Sequence, residues 1–140
     1  MARIGLFCLL LALLSAWTST VTADEKKPVE TDYYRFTSLP VPAGVVLEGG
    51  GLELLPDGKL AVSSRRGDIY TVSNPFSTST EQMRFQKYAS GLHEVLGLAW
   101  RDGWLYATQR GEVSRLKDLD DDGRADLFET VSDGWEINGD

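Results

Sequence analysis

GLELLPDGKLAVSSRRGDIYTV, residues 51–72, and GLAWRDGWLYATQRGEVSRL, residues 97–116, are two copies of one pattern. Gly51 answers to Gly97, Leu52 to Leu98, Asp57-Gly58 to Asp102-Gly103 and Arg66-Gly67 to Arg110-Gly111, at offsets of 46, 45 and 44 residues. In each copy short alternating apolar runs flank an Asp-Gly pair. That pair signals a hairpin, because glycine accepts the positive φ of a tight primed turn.

Cutting at the turn signals gives strands over 51–55, 59–64, 68–72 and 84–89 in the first copy, and over 97–100, 104–108, 112–116 and 126–131 in the second. Leu60, Val62, Ile69 and Val72 supply the apolar faces of one, and Leu105, Ala107, Val113 and Leu116 those of the other. No helix is expected beyond residue 23. A period in the forties built from short strands and glycine turns is the mark of four-stranded propeller blades, with a small β-sandwich as the competing reading. The fold expected is therefore all-β, the first two four-stranded blades of an incomplete β-propeller, about 51–89 and 97–131. Two blades cannot close a ring, so residues 45–140 are expected to be the N-terminal part of a longer propeller.

Working outward, the chain opens on a targeting pattern. Arg3 gives a positive start, Ile4 to Trp17 is apolar, and Val21-Thr22-Ala23 offers small residues at a cleavage site, so residues 1–23 read as a signal peptide. The apolar run is too short for a bilayer span, which needs about 20 residues. Export to the periplasm or exterior follows, with no membrane span after cleavage. Cys8, the only cysteine, leaves with the signal, so stability must come from a core or a metal rather than disulfides. Residues 24–44, charged and proline-containing, form a tether and entry segment in which Tyr33, Tyr34 and Phe36 are candidates to dock on the body.

The whole chain carries 14 basic and 21 acidic residues, a net charge of −7. Cleavage removes Arg3 and no acid, leaving −8 on residues 24–140. An acidic surface of this kind excludes nucleic acid and anionic membrane as partners, since both are bound through basic patches.

DLDDDGRADLFE, residues 118–129, is the sharpest chemical motif. Asp118, Asp120, Asp122, Asp126 and Glu129 fall at loop positions one, three, five, nine and twelve, Gly123 falls at six, and Arg124 offers its carbonyl at seven. Alternating carboxylates around a turn glycine wrap a hard cation, so this is a calcium loop in the EF-hand pattern. Its flanks read as strands and not helices, so the loop is grafted into a hairpin. Strand parity places it at the end of the sheets that carries the Asp-Gly turns. Arg65, Arg66, Gln109, Arg110, His93 and Glu94 gather at the other end, which makes the calcium structural. His93, the only histidine, is a candidate base beside Glu94. Arg66 and Arg110, at matching positions, are candidates to hold an anionic cofactor, with Gln109 beside them.

GLELLPDGKLAVSSRRGDIYTV and GLHEVLGLAWRDGWLYATQRGEVSRLKDLDDDGRAD together resemble the propeller of the soluble quinoprotein glucose and sorbosone dehydrogenase superfamily. They are most similar to secreted bacterial propeller proteins described as membrane-bound dehydrogenases, some of which carry a CxxCH c-type cytochrome domain downstream. The resemblance covers residues 45–140. It implies a dehydrogenase acting on a sugar or alcohol in the full-length protein, with pyrroloquinoline quinone held by arginines, glutamine and calcium, and with this part alone inactive. Residues 91–99, GLHEVLGLA, depart from the family's G-L-E-H-P-W-G-L-A, so the catalytic base is expected from a later blade. The alternative is a non-catalytic secreted propeller that binds carbohydrate or another protein.

Export is the first testable expectation. N-terminal sequencing of the secreted protein should begin at Asp24, and an uncleaved, cell-associated chain would overturn it.

Overall fold

A computed structural model describes residues 26–135, so the signal segment over 1–23 lies outside the described residues. Two compact units divide the chain, one up to Arg35 and one from Phe36 onward. The described part of the first holds a single 3-10 turn, Glu30–Asp32, closed by the Val29 amide donating to Asp32 Oδ2 at 3.0 Å. The second is all-β. Phe36, expected to dock, is 84% exposed at its start.

Eight strands make two four-stranded antiparallel sheets: β1 Gly49–Leu54, β2 Leu60–Ser64, β3 Ile69–Ser73 and β4 Arg84–Ala89, then β5 Gly97–Arg101, β6 Trp104–Thr108, β7 Val113–Lys117 and β8 Leu127–Ser132. Each sheet is a meander, with strand order equal to sequence order. The expected boundaries agree within about two residues. No α-helix occurs among the described residues, and none of their helices is long and apolar enough to cross a membrane.

The turns show why the boundaries were readable. Asp102 and Gly103 both take positive φ, 50° and 80°, and join Arg101 to its partner Trp104 in a two-residue primed turn. The first copy differs. Pro56 precedes Asp57-Gly58 and has no N–H to donate to the Lys59 carbonyl, the bond that a two-residue turn on Asp57-Gly58 would need. Only Gly58 is left-handed, and Leu55 and Lys59 close a three-residue loop instead. Arg65-Arg66-Gly67 repeats that geometry, with Gly67 at φ 88° and Ser64 bonded to Asp68 at 2.8 Å.

Alternation along the strands buries both faces of the first sheet. Ile69 and Val72, three residues apart, point to opposite sides rather than to one. Ala61, Ile69, Tyr88 and Ala89 face the second sheet and pack with Val95, Leu105, Ala107 and Leu116, forming the main core. Val62, Val72 and Met83 lie on the far side with Leu39, Leu47, Leu60 and Phe85. In the second sheet Leu116 is in the core, while Val113 has the opposite parity.

What lets the sheets meet is backbone contact. A Cβ on Gly50 would overlap the Val95 carbonyl oxygen, one on Gly51 would sit 2.8 Å from the Leu98 nitrogen, and one on Gly67 would overlap the Leu92 carbonyl. Ser63, fully buried, donates to the Val95 carbonyl at 3.1 Å and accepts from the Gly51 amide at 2.7 Å. The Leu92 amide donates to the Gly67 carbonyl at 3.0 Å, and the Trp100 amide to Glu53 Oε1 at 2.9 Å.

Gly67 and Gly58 separate packing from backbone strain. Both are left-handed, yet a Cβ at Gly58 meets open space. In urea unfolding of the full-length protein, Gly58→Ala should cost about 1 kcal/mol and Gly67→Ala about 3 kcal/mol or more. Equal losses would mean the close approach at Gly67 does not hold the sheets.

Candidate metal centre

The connection from β7 to β8 folds the acidic motif into a tight loop. Asp121 and Gly123 take positive φ, 60° and 85°, so the glycine at position six does bend the chain. Four of the loop's carboxylates each tie down one of its backbone amides. Asp118 Oδ2 accepts from Gly123 at 2.8 Å, Asp120 Oδ1 from Asp122 at 3.2 Å, Asp122 Oδ1 from Arg124 at 2.8 Å, and Asp126 Oδ2 from Leu119 at 2.8 Å.

Asp118, Asp120 and Asp126 converge: each offers a carboxylate oxygen, and these oxygens lie within 4.8 Å of one another. Like charges about 4 Å apart repel by about 1 kcal/mol in water and about 4 kcal/mol at the lower effective dielectric near a protein surface. Asp118 Oδ1 is closed off from solvent and has no hydrogen-bond partner among the described residues. A buried carboxylate oxygen without a donor costs about 1–3 kcal/mol or more, and a hard cation is the group that satisfies it. Three converging carboxylate oxygens and one orphaned buried oxygen make a donor set compatible with a hard cation.

Asp122 lies in the loop but outside the convergent trio, its Oδ1 being held by the Arg124 amide. The Arg124 carbonyl remains the expected backbone ligand. Glu129 is carried elsewhere. Extended β8 starts at Leu127, so Glu129 travels up the strand to lie opposite Arg115, whose Nη2 it meets at 2.6 Å and whose Nε it meets at 2.7 Å. That hydrogen bond comes first among the causes holding the Arg115 guanidinium above its ordinary pKa. A helix after the loop would turn position twelve back toward the ion, and a strand does not.

Beside the loop, an intersheet cleft of about 200 Å³ is lined by Leu55, Thr71, Tyr88, Trp100, Asp118 and Gly123. Asp57 and Gly103 of the hairpin turns also line it, so the acidic loop shares its end of the molecule with them. Tyr88 is 8% exposed, and its phenol is pushed up to about 12, by burial first and then by the charge of Asp118 and Asp126.

At the other end, Glu94 (φ 49°) stands between the sheets, 3.8 Å from both Arg65 Nη2 and Arg110 Nη1. His93 is tied down by its backbone. Its amide donates to Gln109 Oε1 and its carbonyl accepts from the Arg110 amide at 3.0 Å. Its imidazole is exposed and makes no hydrogen bond among the described residues.

The three residues read as a cofactor cradle do not assemble into one. Gln109 is 7% exposed, with its amide nitrogen donating to Glu112 Oε1 at 2.9 Å and to Ser114 Oγ at 2.6 Å, so its carboxamide is fully committed to the joint. Arg66 pairs with Glu48 at 3.4 Å and lines an outer groove with Val46, Asp68, Tyr70 and Lys87. The extra residue in the Arg65-Arg66-Gly67 loop explains this, since it turns Arg65 toward the junction in the place assigned to Arg66. Arg66, Gln109 and Arg110 therefore do not fit pyrroloquinoline quinone as a set. The network of Gln109, Glu112 and Ser114 escaped the sequence reading because nothing in the repeat distinguishes a buried glutamine from an exposed one.

Comparison with family models, with curated proteins and with solved structures found no match.

Gln109 and Arg66 make the contrast measurable. Gln109→Ala leaves the His93 amide without its acceptor, while Glu112 keeps Ser114 and Thr130, and should lower stability by about 1–3 kcal/mol, whereas Arg66→Ala should stay within about 0.5 kcal/mol. Urea denaturation of the two variants decides it, and a larger loss for Arg66→Ala would reverse the assignment.

Proposed function

We propose that this chain forms the first two blades of an exported β-propeller and that calcium, held by Asp118, Asp120 and Asp126 with the Arg124 carbonyl and Asp122, is structural. The observation that carries the metal reading is the buried, partnerless Asp118 Oδ1 amid converging carboxylates. The propeller reading draws support from two successive meanders packed through a shared core, with first strands β1 and β5 touching through glycine.

In this reading the full-length protein is a quinone-dependent sugar or alcohol dehydrogenase-like enzyme of the periplasm, with a c-type cytochrome domain as electron acceptor. The part played by residues 45–140 is architectural, and the quinone and the catalytic base belong to later blades. The commitment of Gln109 and the outward turn of Arg66 favour a second reading, a secreted propeller that binds carbohydrate or protein without chemistry.

One set of measurements on the full-length protein tests both. Calcium at a hundredfold excess over its dissociation constant should add about 2.7 kcal/mol of stability, and Asp120→Ala/Asp122→Ala should remove most of it. Quinone reconstitution followed by dye reduction with an aldose or alcohol should give turnover that survives in the double variant once it is folded. A melting temperature unmoved by calcium would overturn the metal reading. Absence of turnover on a panel of sugars and alcohols would leave the binding propeller.

A further inference from the structure

We propose that the cation loop is a latch between the two sheets, in which Gln86 of the first sheet is a positioning residue for the ion bound by the second. The inference rests on the cation reading above. Every carboxylate of the site belongs to the β7–β8 connection, yet the loop is pinned from outside by β4. Gln86 Nε2 donates to the Asp122 carbonyl at 2.8 Å, across 36 residues of sequence. The same carboxamide occupies the space that a Cβ on Gly123 would fill. Two residues further along β4 and three further along the loop, the Ala125 amide donates to the Tyr88 carbonyl at 2.8 Å.

Gln86 and Tyr88 alternate with Lys87, which points the other way to meet Asp68 at 2.8 Å. β4 therefore grips the loop at Asp122 through the Gln86 side chain and at Ala125 through the Tyr88 backbone carbonyl, and Arg124, whose carbonyl is the expected backbone ligand, lies between the two grips. Gly123 then has two reasons to be glycine: its left-handed φ and the amide of Gln86 laid across it. The converging oxygens of Asp118, Asp120 and Asp126 hold the loop from its own side.

Coupling follows from linkage. If the gripped arrangement is the one that binds the ion well, then the ion favours the gripped arrangement by the same factor. Calcium therefore tightens the junction between the sheets and not the loop alone, even though β4 offers no ligand.

The test is calorimetric titration of the full-length protein with calcium, wild type against Gln86→Met, with hydrogen exchange of β4 followed in the presence of calcium and of chelator. Methionine keeps the length and apolar stem of Gln86 and removes the donor. One lost hydrogen bond should weaken calcium binding about three- to tenfold at unchanged stoichiometry. In the wild type, calcium should slow exchange over 84–89 as well as over 118–127, and this readout needs no variant. Unchanged affinity in Gln86→Met, or protection confined to 118–127, would overturn the latch while the cation site stands. A wild type that does not bind calcium would remove the cation reading and the latch with it.

Discussion

Everything in the second unit depends on how closely two backbones approach. At Gly50, Gly51 and Gly67 the first sheet presses against the chain from Leu92 to Leu98 with no room for a Cβ. That approach brings Ala61 and Ile69 within reach of Leu105, Ala107 and Leu116, and it leaves Val95 and Ser63 wholly buried. Polar groups closed off by it have partners from across the junction, as Ser63 does at the Val95 carbonyl. With larger side chains at those glycines, neither the core nor the contacts at the two ends of the junction could form.

The two ends of that junction are built on opposite electrostatic principles. At one, Glu94 stands between Arg65 and Arg110, so opposite charges meet within the protein itself, at distances where exposed pairs add little energy. At the other, Asp118, Asp120 and Asp126 turn oxygens toward one another with no basic side chain in an ion pair with any of them among the described residues. The first end is complete as folded. The second gathers carboxylate oxygens that no basic side chain among the described residues offsets, and that imbalance is what the proposed cation would answer.

Much of this architecture could be read from residue order. Strand limits were readable because Pro56, Gly58, Gly67, Asp102 and Gly103 punctuate the repeat, and each acts through its own backbone and not through distant contacts. Gly123 and the spaced aspartates were readable for the same reason. What escaped depends on partners remote in sequence. Whether Arg65 or Arg66 faces the junction is decided by one extra residue in a turn, and Glu129 is drawn off the loop by Arg115 fourteen residues away. Gln109 looks like any polar residue after a strand until the His93 amide and Glu112 close around it. Local conformational chemistry is written in short stretches, whereas the roles of long polar side chains are set by whatever the fold brings to them.

The meander order carries a consequence for how the molecule comes together. Every ladder joins strands that are neighbours in sequence, most of them closed by short connections such as Pro56-Asp57-Gly58 or Asp102-Gly103, and β3–β4 and β7–β8 by the longer segments 74–83 and 118–126. The loop entropy of pairing is small for each, so contact order within a sheet is low and hairpin zipping is favoured kinetically. Joining the sheets is a different event, because Gly51 must find Gly97 and Gln86 must find Asp122 over several tens of residues. Separating these steps along the chain lets each meander take shape as it emerges during synthesis, with the junction assembling once both are present.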